Sequence, residues 1–305
     1  MTGSKPFAVF SKWDGINNVD DGMELSPSEL QKGQNIDLDD AGRPSRRKGF
    51  TPIPALAGNF RWMWSDGVTC LAINVTDRSL VQIFPNYSTS LLLDGVDPDR
   101  RMEYEKVLDR IYYTNDQIIG FVQGGNNYTL PVAQGAFKAT LPPGKFLKQF
   151  NSRLWVVVGN KHIMSDIGKY DQYDERYFGK QYENPITMSE IVNNGMFISA
   201  GKTFFLAMTD PMEQVKGALV EKAPYGAIPY TAVSIDGGLV VKDKTISGKV
   251  IIWGSEEGIC LGADGGEFEN LTIQKYELPA GKMGAALYRK KNHKGTSQVV
   301  MTIAQ

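Results

Sequence analysis

The sequence predicts an all-β chain, a β-propeller of five or six blades with an extended N-terminal arm. Three observations predict it. A hairpin-like pattern returns along the chain, with first apolar positions at Val68, Ile111, Leu154, Met196 and Val250, so the intervals are 43, 43, 42 and 54 residues. Each copy reads apolar strand, short polar turn, apolar strand, and repetition at this period with several strands per unit marks propeller blades. Further apolar stretches stand before the hairpins, which raises the content to three or four strands per repeat.

The elements follow in order. Residues 1–57 carry no repeat and form the arm, and residues 58–305 carry the propeller. In the arm, Ser26-Pro27 before Ser28-Glu29-Leu30 reads as the start of a brief helix, with Ser26 as cap and Pro27 at the first position. Asn35-Ile36-Asp37-Leu38-Asp39 alternates as a strand, Asp40-Ala41-Gly42 turns it, and Pro44 to Phe50 leads back.

The five hairpins then span Asp66–Phe84, Asp109–Val122, Ser152–Asp166, Asn194–Met208 and Gly248–Gly266. MEYEKVL, KFLKQF, TMSEIV and LVVKD supply preceding strands, and STSLLLDG supplies a following one. Leu141-Pro142-Pro143-Gly144 and Leu278-Pro279-Ala280-Gly281 are connections leading to inner strands. The interval 209–247 dilutes the period and holds a loop insertion. Tyr288 and Val299–Ile303 flank a final hairpin turn. An N-terminal strand beside that hairpin would close the ring and cover its edge.

Composition narrows the function classes. Lys plus Arg is 33 and Asp plus Glu is 34, a formal charge of -1, so no global field favours nucleic acid. Arg43, Arg46, Arg47 and Lys48, continued by Arg61, form one local basic patch. The two cysteines, Cys70 and Cys260, sit inside apolar strand stretches and read as buried thiols rather than a disulfide framework. No run approaches the length of a membrane-spanning helix, and the opening residues lack a secretory apolar core, so neither a membrane anchor nor cleaved export is expected.

No catalytic constellation is legible. His162 and His293 are the only histidines, and both read as exposed turn residues. Asn35-x-Asp37-x-Asp39 begins like a calcium loop but lacks the glycine and glutamate that complete one, so it reads as a structural turn. Glu103, Asp109, Glu190 and Asp236 illustrate carboxylates that could pair across a pocket, yet their spacing selects no pair. The expectation is therefore no enzymatic activity, no catalytic residues, no cofactor and no metal. The segment Lys169–Asn184 is rich in tyrosine and charge. It reads as an exposed loop whose Tyr170, Tyr173 and Tyr177 suit an interface, or as a loop capping a blade.

The arm resembles a particular family. Gly15-Ile16-Asn17-Asn18, then Asn35-Ile36-Asp37, then Gly42, Arg43, Arg46, Arg47, Gly49 and Phe50 look like the opening of tailed-bacteriophage tail proteins. That family includes the short-tail nozzle or hub and packaged-DNA stabilisation proteins. The motif match covers about residues 13 to 50. The resemblance implies a structural virion protein that self-associates into a ring, a hexamer, in the tail or head-to-tail region, assembled in the host cytoplasm. It implies neighbouring adaptor, portal or tail proteins as partners, with non-specific DNA contact in a channel. Trp13, Asn17, Asn18, Asn35, Asp37, Arg43, Arg46, Arg47, Lys48 and the three tyrosines are the expected assembly interface. Two readings stand beside it, a propeller that binds carbohydrate or a host surface, and a glycosidase-like propeller enzyme.

Overall fold

A computed structural model of the chain describes residues 15–26, 28–33, 36–38, 44–46, 53, 56, 58–208, 218–237, 246, 248–273, 275–279, 281–289 and 298–304. The chain is all-β, built from successive four-stranded antiparallel sheets in the manner of a β-propeller. It divides into two compact units, residues 51–221 and residues 1–50 with 222–305.

In the arm, β1 (Gly15–Ile16) pairs in parallel with β2 (Glu29–Leu30). The antiparallel hairpin of β3 (Ile36–Leu38) and β4 (Pro44–Arg46) matches the alternating pattern there. Among the described residues no helix follows Ser26. Glu29 returns its backbone N–H to the Ser26 carbonyl at 2.9 Å, closing a turn, and the chain goes straight into β2. Two residues further on the sequence reaches Lys32-Gly33, too soon for helical propagation to repay its nucleus.

The unit 51–221 holds the first four sheets. The first is β5 (Phe60–Ser65), β6 (Cys70–Asn74), β7 (Ser79–Ile83) and β8 (Thr89–Leu93) in simple meander order. The second is β9 (Glu103–Val107), β10 (Arg110–Thr114), β11 (Ile119–Gln123) and β12 (Asn126–Thr129), again a meander. After β13 (Lys138–Thr140) comes the third sheet, with β14 (Lys145–Phe150), β15 (Arg153–Val158) and β16 (Lys161–Met164). An excursion carries β17 (Gln172–Asp174), which pairs with β13, before β18 (Gly179–Gln181) closes the sheet on β16. The fourth sheet is β19 (Met188–Val192), β20 (Gly195–Ala200), β21 (Lys202–Ala207) and β22 (Leu219–Ala223), the last strand crossing the boundary between units.

In the other unit the fifth sheet is β23 (Val233–Asp236), β24 (Lys249–Ser255), β25 (Gly258–Gly262) and β26 (Phe268–Asn270). The hairpin β27 (Met283–Arg289) and β28 (Gln298–Ala304) follows. The preceding strand of the fifth hairpin is thus Val233–Asp236, while LVVKD and part of the expected insertion, residues 209–217, 238–245 and 247, fall outside the described residues. Among the described residues no helix is long and apolar enough to cross a membrane.

Hydrophobic burial explains the order. Leu71, Ile73 and Leu80 of the first sheet pack on Tyr104, Ile111, Tyr113 and Val122 of the second. Tyr112 and Phe121, on the second sheet's other face, pack on Leu147, Leu154, Val156 and Ile163 of the third. Each inner sheet is therefore covered on both faces. Its central strands read as continuous apolar runs instead of alternating, as β20 shows with all six residues buried. Strict alternation would place only some of Leu154, Trp155, Val157, Phe197, Ile251 and Trp253 inside; all six are buried. Val68, by contrast, is exposed in a turn, where the Asp66 carboxylate accepts from the Val68 and Thr69 N–H groups at 2.9 and 2.7 Å. The strand begins at Cys70.

Candidate functional site

A cavity of about 470 Å³ opens between the second sheet and the excursion that leads into β17. That volume lies within the range of small-molecule sites. Four stretches of chain build it. The tight β9–β10 turn supplies Leu108 and Asp109, and β10 opens with Arg110 and reaches Tyr112. The strand β11 contributes Gln123, and the chain after β12 contributes Pro131, Val132 and Gln134. The excursion brings Gly168, Lys169, Tyr170 and Asp171, and β17 opens with Gln172.

The excursion is fixed by its own bonds. Gly168 adopts φ 68°, a left-handed turn conformation that glycine takes without strain. Asp166 and Lys169 bridge beneath it, and the Leu141 N–H donates to the Asp171 carbonyl at 2.9 Å. Lys138 on β13 grips the base with ion pairs to Asp166 at 2.8 Å and Asp174 at 3.3 Å.

The polar centre is Arg110, Tyr112 and Asp171. The Arg110 Nη1 donates to the Tyr112 hydroxyl and to Asp171 Oδ2, both at 3.3 Å, and the Tyr112 hydroxyl donates to Asp171 Oδ1 at 3.0 Å. The Arg110 guanidinium also lies 4.4 Å from the centroid of Phe121, a cation–π contact. The Tyr112 hydroxyl and the Asp171 carboxylate hold Arg110 in its charged form, above its ordinary value. Burial pushes the Tyr112 phenol well up, so it stays protonated and remains a donor. At the rim, Gln123 Nε2 donates to Asp109 Oδ2 at 2.5 Å, and Tyr170 stands 6.2 Å from Tyr112, ring to ring. The set offers fixed donors and acceptors in both senses, aromatic surface and balanced charge.

The expected interface residues scatter. Tyr170 enters the cavity wall, Tyr173 lies on β17 opposite Ala139, and Tyr177 is exposed in a 3-10 turn beside Arg176. Lys169–Asn184 is thus no free loop; it pairs through β17 and β18. Asn17 is buried. Its side chain donates to Asp20 at 2.8 Å and Glu29 at 3.3 Å and accepts from the Val19 and Asp20 N–H groups. Asn18 clasps Glu277 both ways, donating to its carbonyl and accepting from its N–H, each at 3.0 Å. Asp37 is on β3 and Arg46 on β4 is exposed. Trp13, Asn35, Arg43, Arg47 and Lys48 lie outside the described residues, as do His293, Asp39 and Asp40. Arg61 is taken by Asp99 at 2.7 Å.

His162 is corrected. It is not an exposed turn residue but fully buried on β16, because the turn ends at Asn160 and the strand has already begun. Its ring packs 4.7 Å from Trp155. Of the illustrative carboxylates, Glu103 pairs with Arg101 at 2.9 Å and Glu190 with Lys148 at 2.8 Å, while Asp109 alone lines the cavity. The side chain of Asp236 lies outside the described residues. Both cysteines are free, Cys260 buried and Cys70 half-buried, and burial pushes both thiols up.

No family model matches the chain, and no curated protein matches it. Solved structures similar to it include a gluconolactonase from Xanthomonas campestris, at 11% identity and a TM-score of 0.45, covering 81% of this chain and 82% of that one. A virginiamycin B lyase from Staphylococcus aureus follows at 12% identity and 0.43, covering 78% and 82%. An auxiliary nutrient binding protein from Bacteroides thetaiotaomicron stands at 10% and 0.45, covering 81% and 61%. Similarity this low transfers no activity. The expectation of no enzymatic activity is corrected to the extent that two of these similar structures are a gluconolactonase and a lyase.

Proposed function

We propose that this chain is a structural propeller of a tailed-bacteriophage particle, joining components in the tail or head-to-tail region. The observation that carries the proposal is the GINN segment. The two asparagines that give it its family resemblance are both committed: Asn17 pins the local turn, and Asn18 clasps the backbone of Glu277. The segment is thus held against the C-terminal part of its own unit, and the hairpin β3–β4 follows it with Arg46 exposed. An exposed basic side chain on a hairpin that follows a fixed segment suits docking on an acidic neighbour in an assembly.

The test is the mass of the purified chain by native mass spectrometry, together with its presence in purified particles. A cyclic oligomer and a place in the particle are expected. Reversing the charges of Arg43, Arg46, Arg47 and Lys48 is expected to abolish assembly, or to give particles that leak DNA if the patch seals the genome. A chain that stays monomeric at high concentration and is missing from particles overturns the reading.

A second reading, a propeller that binds carbohydrate at a surface, is favoured by the cavity around Arg110, Tyr112 and Asp171. Affinity for an immobilised glycan, in a chain that forms no ring, would replace the first reading by this one.

A further inference from the structure

We propose that the cavity between the second sheet and the excursion leading into β17 binds a neutral saccharide, with Tyr170 as its flat apolar wall and Asp171, Arg110 and Gln134 as its hydrogen-bonding edge. The inference rests on the second reading above and names its site and ligand class.

Charge sets the class. Two acids, Asp109 and Asp171, face two bases, Arg110 and Lys169, so the lining carries no net charge. Arg110 is further neutralised by its direct contact with Asp171. An anion therefore gains little field here, and a cation gains no more. A neutral ligand with many hydroxyls gains from both senses of hydrogen bond, since guanidinium and amide groups donate while carboxylate and amide oxygens accept. Sugars also present an apolar C–H face, which an aromatic ring covers. Tyr170 and Pro131 supply such surface in the lining.

Preorganisation supports the geometry. Asp171 is held at its backbone by Leu141 and at its side chain by Arg110 and Tyr112, so its position does not wait for the ligand. Arg110 is held over the Phe121 ring, 4.4 Å from its centroid. A site whose polar groups are already placed loses less entropy on binding.

The experiment is saturation-transfer NMR on the full chain with methyl glycosides of glucose, galactose, mannose and N-acetylglucosamine, against glucuronate and inorganic phosphate. Saturation of the ring C–H protons of at least one neutral glycoside is expected. Tyr170→Ala is expected to weaken it at least ten-fold. Gln134→Ala, at an exposed side chain that cannot unsettle the core, is expected to weaken it several-fold with an unchanged melting temperature. Binding of a neutral glycoside that survives both substitutions overturns the site and leaves the surface-binding reading standing. Binding of the anions alone overturns the ligand class. Silence from every glycoside overturns the site and the surface-binding reading together.

Discussion

The Ser189 Oγ on β19 lies 3.2 Å from Nε2 of His162 on β16, so one buried hydrogen bond ties the third sheet to the fourth. The other ring nitrogen, Nδ1, is buried with no partner among the described residues. Burial pushes the imidazole down to about 3. In the unfolded chain the same ring titrates near its ordinary value of about 6.5.

The sign follows from proton counting. Between these two values the unfolded chain binds a proton that the folded chain refuses, so stability falls as pH falls. The contribution is whole above pH 6.5 and is lost progressively toward pH 3. Asp66 and Asp174, whose carboxyls Lys106 and Arg176 hold low, lose their own contributions only below the ordinary carboxylate range. Urea denaturation between pH 6.5 and 4.5 should therefore isolate the histidine, at about 1.4 kcal/mol per pH unit. His162→Gln should flatten that slope. A wild-type slope that survives the substitution would assign it elsewhere.

Leu154→Ala and Ile251→Ala each remove a fully buried aliphatic side chain from a sheet covered on both faces. Each should cost roughly 2–5 kcal/mol, the spread reflecting how far the neighbours relax into the space. Chemical denaturation measures it. A change below about 0.5 kcal/mol at both would contradict close packing between the sheets.

The inner strands carry a charged cluster. Lys148 on β14 pairs with Glu190 on β19 at 2.8 Å, and Glu103 and Glu105 on β9 also act on it. Burial pulls the lysine down, but the three carboxylates outweigh it and hold it charged. Lys148→Met leaves those carboxylates facing one another and should cost about 3–5 kcal/mol. Glu190→Gln should cost less, because two carboxylates still face the lysine. A double-mutant cycle in urea gives both numbers, and equal costs would mean that Glu103 and Glu105 contribute nothing.

Asn18→Ala deletes both bonds to the Glu277 backbone. They are exposed, so the loss should be about 1 kcal/mol. The more telling readout is hydrogen exchange: the Glu277 amide should exchange faster in the variant while the amides of β6 and β15 stay unchanged. Uniform acceleration would mean a global effect instead.

The hairpins were legible because each carries its own information: an apolar run, a polar turn and a second apolar run suffice. The hairpins at Arg110–Gln123 and Arg153–Met164 follow that rule. Two things were not legible. His162 looks like a turn residue beside Gly159-Asn160-Lys161, and only its cover by Trp155 and Ser189 makes it a core residue. The cavity was also missed. Arg110 and Asp171 are 61 residues apart, and nothing local in either segment announces the other. The one available signal was the density of tyrosine and acid in Tyr170–Tyr177, which pointed to the segment but not to its partner.

Leu108 raises the last prediction. It occupies the two-residue turn between Val107 and Arg110 with φ 56°, in the left-handed region, and it is 82% exposed. A leucine there meets the clash between Cβ and backbone that asparagine tolerates better. Its side chain buries little in return. Leu108→Asn should therefore raise stability by about 0.5–1 kcal/mol. The turn also borders the cavity, so the strained leucine stands where a ligand would meet it. If Leu108 serves the ligand, the more stable variant should bind the glycoside more weakly. If thermal stability rises while affinity holds, the leucine is merely a suboptimal turn residue.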